Sequence, residues 1–147
     1  MTDQNNATIY DDAFYKWQSA GSFRSARVVA ELISRYFKPD SVVDLGCGVG
    51  TWLKAFQESG VSTIHGYDGS WVDQQSLRIP KENFTSCDLS MPVANQEAGC
   101  DLAVSVEVAE HLPESAADGF VAALCALAPG VLVSAATPGQ GGKNHIN

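Results

Sequence analysis

The spacing of apolar residues changes several times along the chain, and each change predicts an element. Residues 1–9 are polar and without period, a frayed end. Asp11 to Ser19 predicts a short helix carrying Phe14, Tyr15 and Trp17, with Phe14 and Trp17 as a small apolar staple. Ser22 is placed to cap a second helix, in which Val28, Val29, Leu32, Ile33, Tyr36 and Phe37 recur at helical spacing until Pro39 stops it. The period then shortens. Ser41-Val42-Val43-Asp44-Leu45 reads as a buried strand broken by glycines. Val49, Trp52, Leu53 and Phe56 fall at i, i+3, i+4 and i+7, and Gly60 closes that helix. Thr63 to Tyr67 reads as a second strand, Asn83 to Cys87 as a third, and Asp101 to Val106 as a fourth of continuous apolar character. Phe120, Val121, Leu124 and Leu127 mark a helix ended by Pro129-Gly130, and Val131 to Ala136 is a fifth strand.

Strands alternating with helices predict the α/β class, a doubly wound parallel sheet. Such sheets bind ligands outside the carboxyl ends of their strands, where strand order reverses. The chemistry-bearing residues follow that rule. Gly46 to Gly50 come after the first strand, Asp68 after the second, Asp88 after the third, Glu107 to His111 after the fourth, and Thr137 to His145 after the fifth.

Composition narrows the class. At 147 residues, 45% apolar and 18% charged, the chain reads as one globular domain with a sizeable core. No apolar run approaches ~18–20 residues, so no membrane span is predicted, and Met1 to Asn6 lack the basic-then-apolar pattern of a secretory signal. The net charge of −8 is uneven: residues 1–40 carry five bases and five acids, and after Lys81 the only base is Lys143. A surface that tracks phosphates needs clustered Lys and Arg, so nucleic acid is a poor partner for this chain. Cys47, Cys87, Cys100 and Cys125 have no CxxC spacing, which argues against a zinc knuckle and for reduced thiols in a cytoplasmic protein.

Asp44-Leu45-Gly46-Cys47-Gly48-Val49-Gly50 is a strand end, a glycine loop and a helix start. Glycines let backbone approach a ligand where a Cβ would clash, and the helix start presents free N–H groups. Asp68 follows Gly50 by 18 residues, placed to accept from both hydroxyls of a ribose. The third glycine comes one position early for a dinucleotide fingerprint and is followed by Thr51. Asp44, two residues before the first glycine, suits a cationic ligand such as the amino acid and sulfonium of S-adenosylmethionine better than a pyrophosphate. The bland alternatives are turn glycines at 46 and 48 and a helix-capping or turn role for Asp88.

Val43 to Thr51 resembles the first motif of class I S-adenosylmethionine-dependent methyltransferases. Gly66-Tyr67-Asp68 resembles their ribose-binding acid, Cys87-Asp88-Leu89 the segment that meets the adenine, and Asp101 to Leu112 their fourth strand and its exit. The resemblance spans roughly residues 22–138. It implies a Rossmann-like sheet of strand order 3-2-1-4-5, methyl transfer, and S-adenosylhomocysteine as product. It also implies that Asp44, Gly46, Cys47, Gly48, Gly50, Asp68, Gly69, Trp71, Asp88, Leu89 and Glu107 line the cofactor. Trp71 stands equally as a flank of adenine or ribose and as a core residue, and Cys47 and Cys87 as packing residues.

Glu107, Glu110 and His111 fall at i, i+3 and i+4, so one helical turn would put all three on a single face. Two carboxylates and an imidazole suit a divalent cation, and the same set supplies a general base. The Glu-x-x-Glu-His pattern is similar to one in methyltransferases of small-RNA ribose 2′-oxygens and in O-methyltransferases of ubiquinone biosynthesis, both acting on vicinal diols. That resemblance implies a metal on Glu107, Glu110, His111 and His145, whereas many metal-free relatives use an acid and a histidine here to shape the cofactor pocket. Glu107, His111 and His145 are the catalytic candidates: His111 as base or ligand, His145 as a substrate contact in a loop after the fifth strand. Tyr15, Trp17 and Arg24 are expected to fold over the cofactor as a lid formed by residues 1–21, ahead of the core at 22–147.

The reading is therefore a methyltransferase acting on an oxygen of a hydroxylated small molecule or sugar. A cofactor-binding module without turnover and an N-methyltransferase are the alternatives, and a nicotinamide oxidoreductase is disfavoured by Thr51. The family sheet usually adds a sixth and a seventh strand, which this chain is expected to lack, as a piece of a longer protein or a short relative. A homodimer or partner chain is expected to cover the fifth strand's open edge.

Overall fold

In the computed structural model, all five predicted strands form and join one parallel sheet of order β3-β2-β1-β4-β5. The structure describes residues 12–91, 99–137, 139–142, 145 and 146, and the backbone alone for 12–20. The polar end at 1–9, Lys143, and the side chains of Phe14, Tyr15 and Trp17 with their proposed staple and lid lie outside the described residues.

The elements run α1 (Asp12–Tyr36), β1 (Ser41–Leu45), α2 (Thr51–Glu58), β2 (Thr63–Asp68), β3 (Phe84–Ser86), β4 (Leu102–Val106), α3 (Ala117–Leu127) and β5 (Gly130–Ser134). The two helices expected before β1 are one. Gly21 sits inside α1 with nothing within 4 Å of where its Cβ would be, so the helix passes through it and the expected boundary at residue 21 falls mid-helix. A single interior glycine costs only about 1 kcal/mol relative to alanine, which the packing of the following turns outweighs. Ala26 and Ala30, fully buried, let α1 pack closely on α2. β3 is shorter than expected, and β5 starts at Gly130 rather than Val131.

Alternation along the strands divides the core. On one face Val42, Ile64, Leu102 and Val104 pack under Ala26 and Ala30 of α1 and Leu53 and Phe56 of α2. On the other, Val43, Leu45 and Ala103 pack under Phe120, Leu124 and Leu127 of α3. Asp101 ties the amino ends of the central strands: its Oδ2 accepts from the amides of Asp40 (2.8 Å) and Ser41 (3.0 Å) and from the Ser41 hydroxyl (3.1 Å).

The carboxyl ends behave differently. β1 pairs with β2 through Leu45↔Tyr67, but its pairing with β4 stops at Asp44↔Val104. One residue further, the buried Ser105 hydroxyl donates to the Leu45 carbonyl at 2.8 Å, supplying the partner that the parted ladder does not. The ladder between the central strands thus ends one residue short of the end of β1, where strand order reverses. β5 closes the order on one side with Val131 and Val133 exposed at 39% and 54%. Among the described residues, no helix is long and apolar enough to cross a membrane.

Candidate functional site

The loop leaving β1 carries three glycines in the left-handed region: Gly46 (φ +89°), Gly48 (+53°) and Gly50 (+82°). The amides of Gly46 and Cys47 both donate to the Tyr67 carbonyl at 2.8 and 3.2 Å, which holds the loop against the end of β2. Gly46 is required sterically as well, since a Cβ there would lie 2.9 Å or less from the methyls of Val108, on the loop that leaves β4. Gly50 precedes α2, whose start has no side-chain cap, so its first amides are open to a ligand.

Two acids face this loop. Asp68 is buried; its Oδ2 accepts from the Gly48 amide at 2.7 Å and its Oδ1 from the Gly69 amide at 2.6 Å. Burial still lifts its carboxyl above the ordinary value, outweighing those donors and a bond from the Trp71 side chain. Asp44 is 2% exposed, and its Oδ1 has no partner. Burial, and then the charge of Asp68, push its carboxyl well up. Two buried carboxylates make a site for a cation that also offers hydroxyls.

Other expected cofactor residues are placed less directly. Cys47 turns inward, its sulfur in the space that Gly66 leaves free, and burial drives its thiol far up, so it packs and is not a nucleophile. Leu89 is buried in the core with Tyr67. Asp88 is exposed, and its Oδ1 is held in its own turn by the amide (2.9 Å) and hydroxyl (2.6 Å) of Ser90. Trp71 is half exposed, with its ring over Gly69.

The exit of β4 departs from the expected helical turn. Glu107 takes φ +57°, a left-handed conformation uncommon for a residue with a Cβ. That kink separates it from the short 3₁₀ turn Ala109–His111, so Glu107 does not share a face with Glu110 and His111. Its amide donates to the Ser134 carbonyl (3.0 Å) and its Oε1 accepts from the Ser134 hydroxyl (2.8 Å), which binds β4 to β5. The remaining three residues do converge. Ligand atoms of Glu110, His111 and His145 all lie within 4.8 Å of one another. The two imidazoles meet edge to face with centroids 5.2 Å apart. Glu110 is 3% exposed with neither carboxylate oxygen partnered. The Ile146 amide donates to the Glu110 carbonyl at 2.9 Å and fixes the loop that brings His145, whose ring covers Gly142.

Sequence patterns did not reveal Ser134, Ser105 or the steric pairs Gly46–Val108 and Gly142–His145. All but the last are long-range contacts, and only the serines, polar residues inside apolar strands, carry a local signal.

The methyltransferase-domain family model matches residues 20–145. No curated protein sequence matches the chain. Among solved structures, a putative O-methyltransferase from Nostoc punctiforme superposes with a TM-score of 0.68 at 16% identity, covering 82% of this chain and 39% of its own. CalS10 from Micromonospora echinaspora, described as an amino pentose methyltransferase with S-adenosylmethionine bound, gives 0.68 at 17% identity, covering 87% and 57%. The methyltransferase domain of bacterial CtHen1-CN gives 0.59 at 25% identity, covering 77% and 65%. The chain thus spans about two-fifths of the length of the first of these and less than two-thirds of the others.

The buried acids predict a pH dependence. A carboxyl raised in the folded state binds its proton more tightly there than when unfolded, so stability falls as pH rises from about 4 through the folded value. Asp101, held below its ordinary value by the Ser41 and Asp40 amides, works in the opposite direction, adding stability that is lost as pH falls. Asp44→Asn removes only the first effect. Its thermal midpoint should exceed that of the wild type by a gap that widens between about pH 4 and pH 7; a constant gap would show that folding does not raise the Asp44 carboxyl.

Proposed function

The chain belongs to the class I methyltransferase-domain family, and on that premise we propose that it holds S-adenosylmethionine above β1 and β2 and methylates an oxygen of a hydroxylated small molecule or sugar. The observation that carries this reading is the pair of buried acids, Asp44 and Asp68, beside three left-handed glycines. The residues fit the cofactor. Asp44, with an unpartnered oxygen, takes its ammonium group. Asp68 takes the ribose hydroxyls. The backbone at Gly46 and Gly48 admits the chain between them, where any Cβ would intrude. When bound, the cofactor supplies a methyl on a sulfonium, an electrophile that leaves easily.

The protein's own work is to orient an acceptor and take its proton. An effective pose needs reacting atoms ~3–3.5 Å apart and in line. On this reading His111 and His145, which follow β4 and β5 in the chain and meet edge to face, supply an imidazole that accepts the proton of a hydroxyl. A proton acceptor of this kind serves an oxygen nucleophile more than an amine, which is nucleophilic once neutral. The Nostoc relative described as an O-methyltransferase supports the same choice.

Glu110, His111 and His145 also suit a divalent cation. A buried carboxylate with two unpartnered oxygens beside two imidazoles is a two-histidine, one-carboxylate donor set. A metal there lowers the pKa of a bound hydroxyl. Glu107, engaged by Ser134, stands outside this set and instead braces the loop that carries the other residues.

Two calorimetric titrations test the proposal. S-adenosylhomocysteine should bind the wild type and lose at least about tenfold in affinity in Asp68→Ala, which removes a charge-assisted bond of about 1.5–3 kcal/mol; undiminished affinity would refute the cofactor assignment. Mn²⁺ should bind the wild type with heat that disappears in His145→Ala and Glu110→Gln, and an absence of heat in the wild type with S-adenosylhomocysteine present would remove the metal.

A further inference from the structure

The helix α1 carries two apolar faces, and the core uses one of them. Ala26, Ala30 and Ile33, with Phe23, turn inward. Val28, Leu32 and Tyr36 turn outward, exposed at 57%, 50% and 79%. They stand four residues apart on one continuous helix, so the row drifts by only about 40° per step and forms a single stripe. Exposed apolar side chains are ordinary when scattered, but an unbroken row on a helix marks a contact surface. The stripe is not the flank that meets α2. That flank carries Arg27, whose guanidinium reaches Glu58 of α2 at 3.9 Å. Beyond the end of α1, Phe37 fills the space that Gly130 leaves free at the start of β5, so the helix is seated against the sheet and presents a fixed surface.

The charges beside the stripe say what it fits. Glu31 and Arg35 flank it, both exposed, and among the described residues they form no ion pair with each other. Consider a second copy of α1 running antiparallel, with Leu32 on the two-fold axis. Leu32 then meets the partner's Leu32, and Val28 meets the partner's Tyr36. Glu31 falls two residues, about 3 Å along the axis, from the partner's Arg35, and the same pair recurs on the other side of the axis. A parallel pair in register would instead set Glu31 on Glu31 and Arg35 on Arg35. Flanking charges of this kind select orientation and partner. The edge of β5 has no such code: its exposed Val131 and Val133 stand among Gly130, Leu132 and Ser134, all uncharged.

We propose that the outer face of α1 is a homodimer surface on which a second copy of this chain packs antiparallel. Val28, Leu32 and Tyr36 form its apolar seam, and Glu31 with Arg35 fix its direction. The contact is isologous, so each substitution acts twice, once on each side of the axis.

Charge reversal with rescue tests this on the full chain by sedimentation equilibrium at low salt. The wild type should show a monomer–dimer equilibrium. Glu31→Arg and Arg35→Glu each bring like charges together and should each raise the dimer Kd about tenfold, while the double variant restores opposite charges and should return to within about threefold of the wild type. Leu32→Lys, which puts two ammonium groups on the axis, should leave monomer alone. All four positions are exposed surface apart from the acids and histidines of the candidate site, so thermal midpoints should stay near the wild-type value. A wild type that remains monomeric at every concentration would overturn the proposal. A dimer that both single reversals leave intact would overturn it too, placing the contact elsewhere, such as the β5 edge. So would a double variant no better than the singles.

Discussion

Two carboxylates, Asp44 and Asp68, are buried at the carboxyl ends of adjacent parallel strands. Burying ionised groups without a partner is strongly unfavourable, so such groups keep their protons or acquire a cation. The fold supplies Asp68 with two backbone donors and leaves one oxygen of Asp44 with none. Around that deficit the Gly48 amide of the left-handed loop turns to Asp68, the β1–β4 ladder ends at Asp44, and the Ser105 hydroxyl satisfies the Leu45 carbonyl beyond it.

A second buried acid, Glu110, also lacks partners for its carboxylate oxygens. Glu110, buried on a one-turn 3₁₀ segment, faces His111 and His145. The two centres are joined mechanically. Gly46, in the first, makes room for Val108, on the loop that leads to the second. The left-handed Glu107 stands at the joint, with its backbone and carboxylate both fastened to Ser134. Strain of this kind persists where surrounding structure over-determines it, and it is typical of sites that must aim a side chain. A ligand bridging the two centres would join the cationic, hydroxylated group and the acceptor that the chemistry requires.

Much of this was legible from residue order. β1 was read at its observed bounds because a short apolar run ended in glycines, and the strand order followed from the family resemblance. Asp68 and Asp44 were found because both sit at strand ends, where a charged residue after an apolar run is conspicuous. The misread points are those where tertiary contacts override local rules. Ser22 read as the cap of a second helix, yet α1 runs through it, held by the packing of its following turns on α2. Glu107 looked like the first residue of a helical turn, but its bonds to Ser134, 27 residues away, hold it in a left-handed kink. His145 was chosen by type and position. What brings it to Glu110 is the Ile146 amide and the bare backbone of Gly142, neither of which leaves a pattern in sequence. Trp71 was noticed as an aromatic residue near the cofactor, while its seat over Gly69 depends on the absence of a side chain there.

The most direct test of the central claim counts protons. If Asp44 and Asp68 hold protons because they are buried without a cation, then seating a cationic S-adenosyl ligand against them must release protons into the buffer. S-adenosylmethionine binding, measured calorimetrically in buffers of different ionisation enthalpy between about pH 4 and pH 7, should show net proton release that vanishes once both acids are ionised. Proton uptake, or no exchange at any pH in that range, would contradict the account.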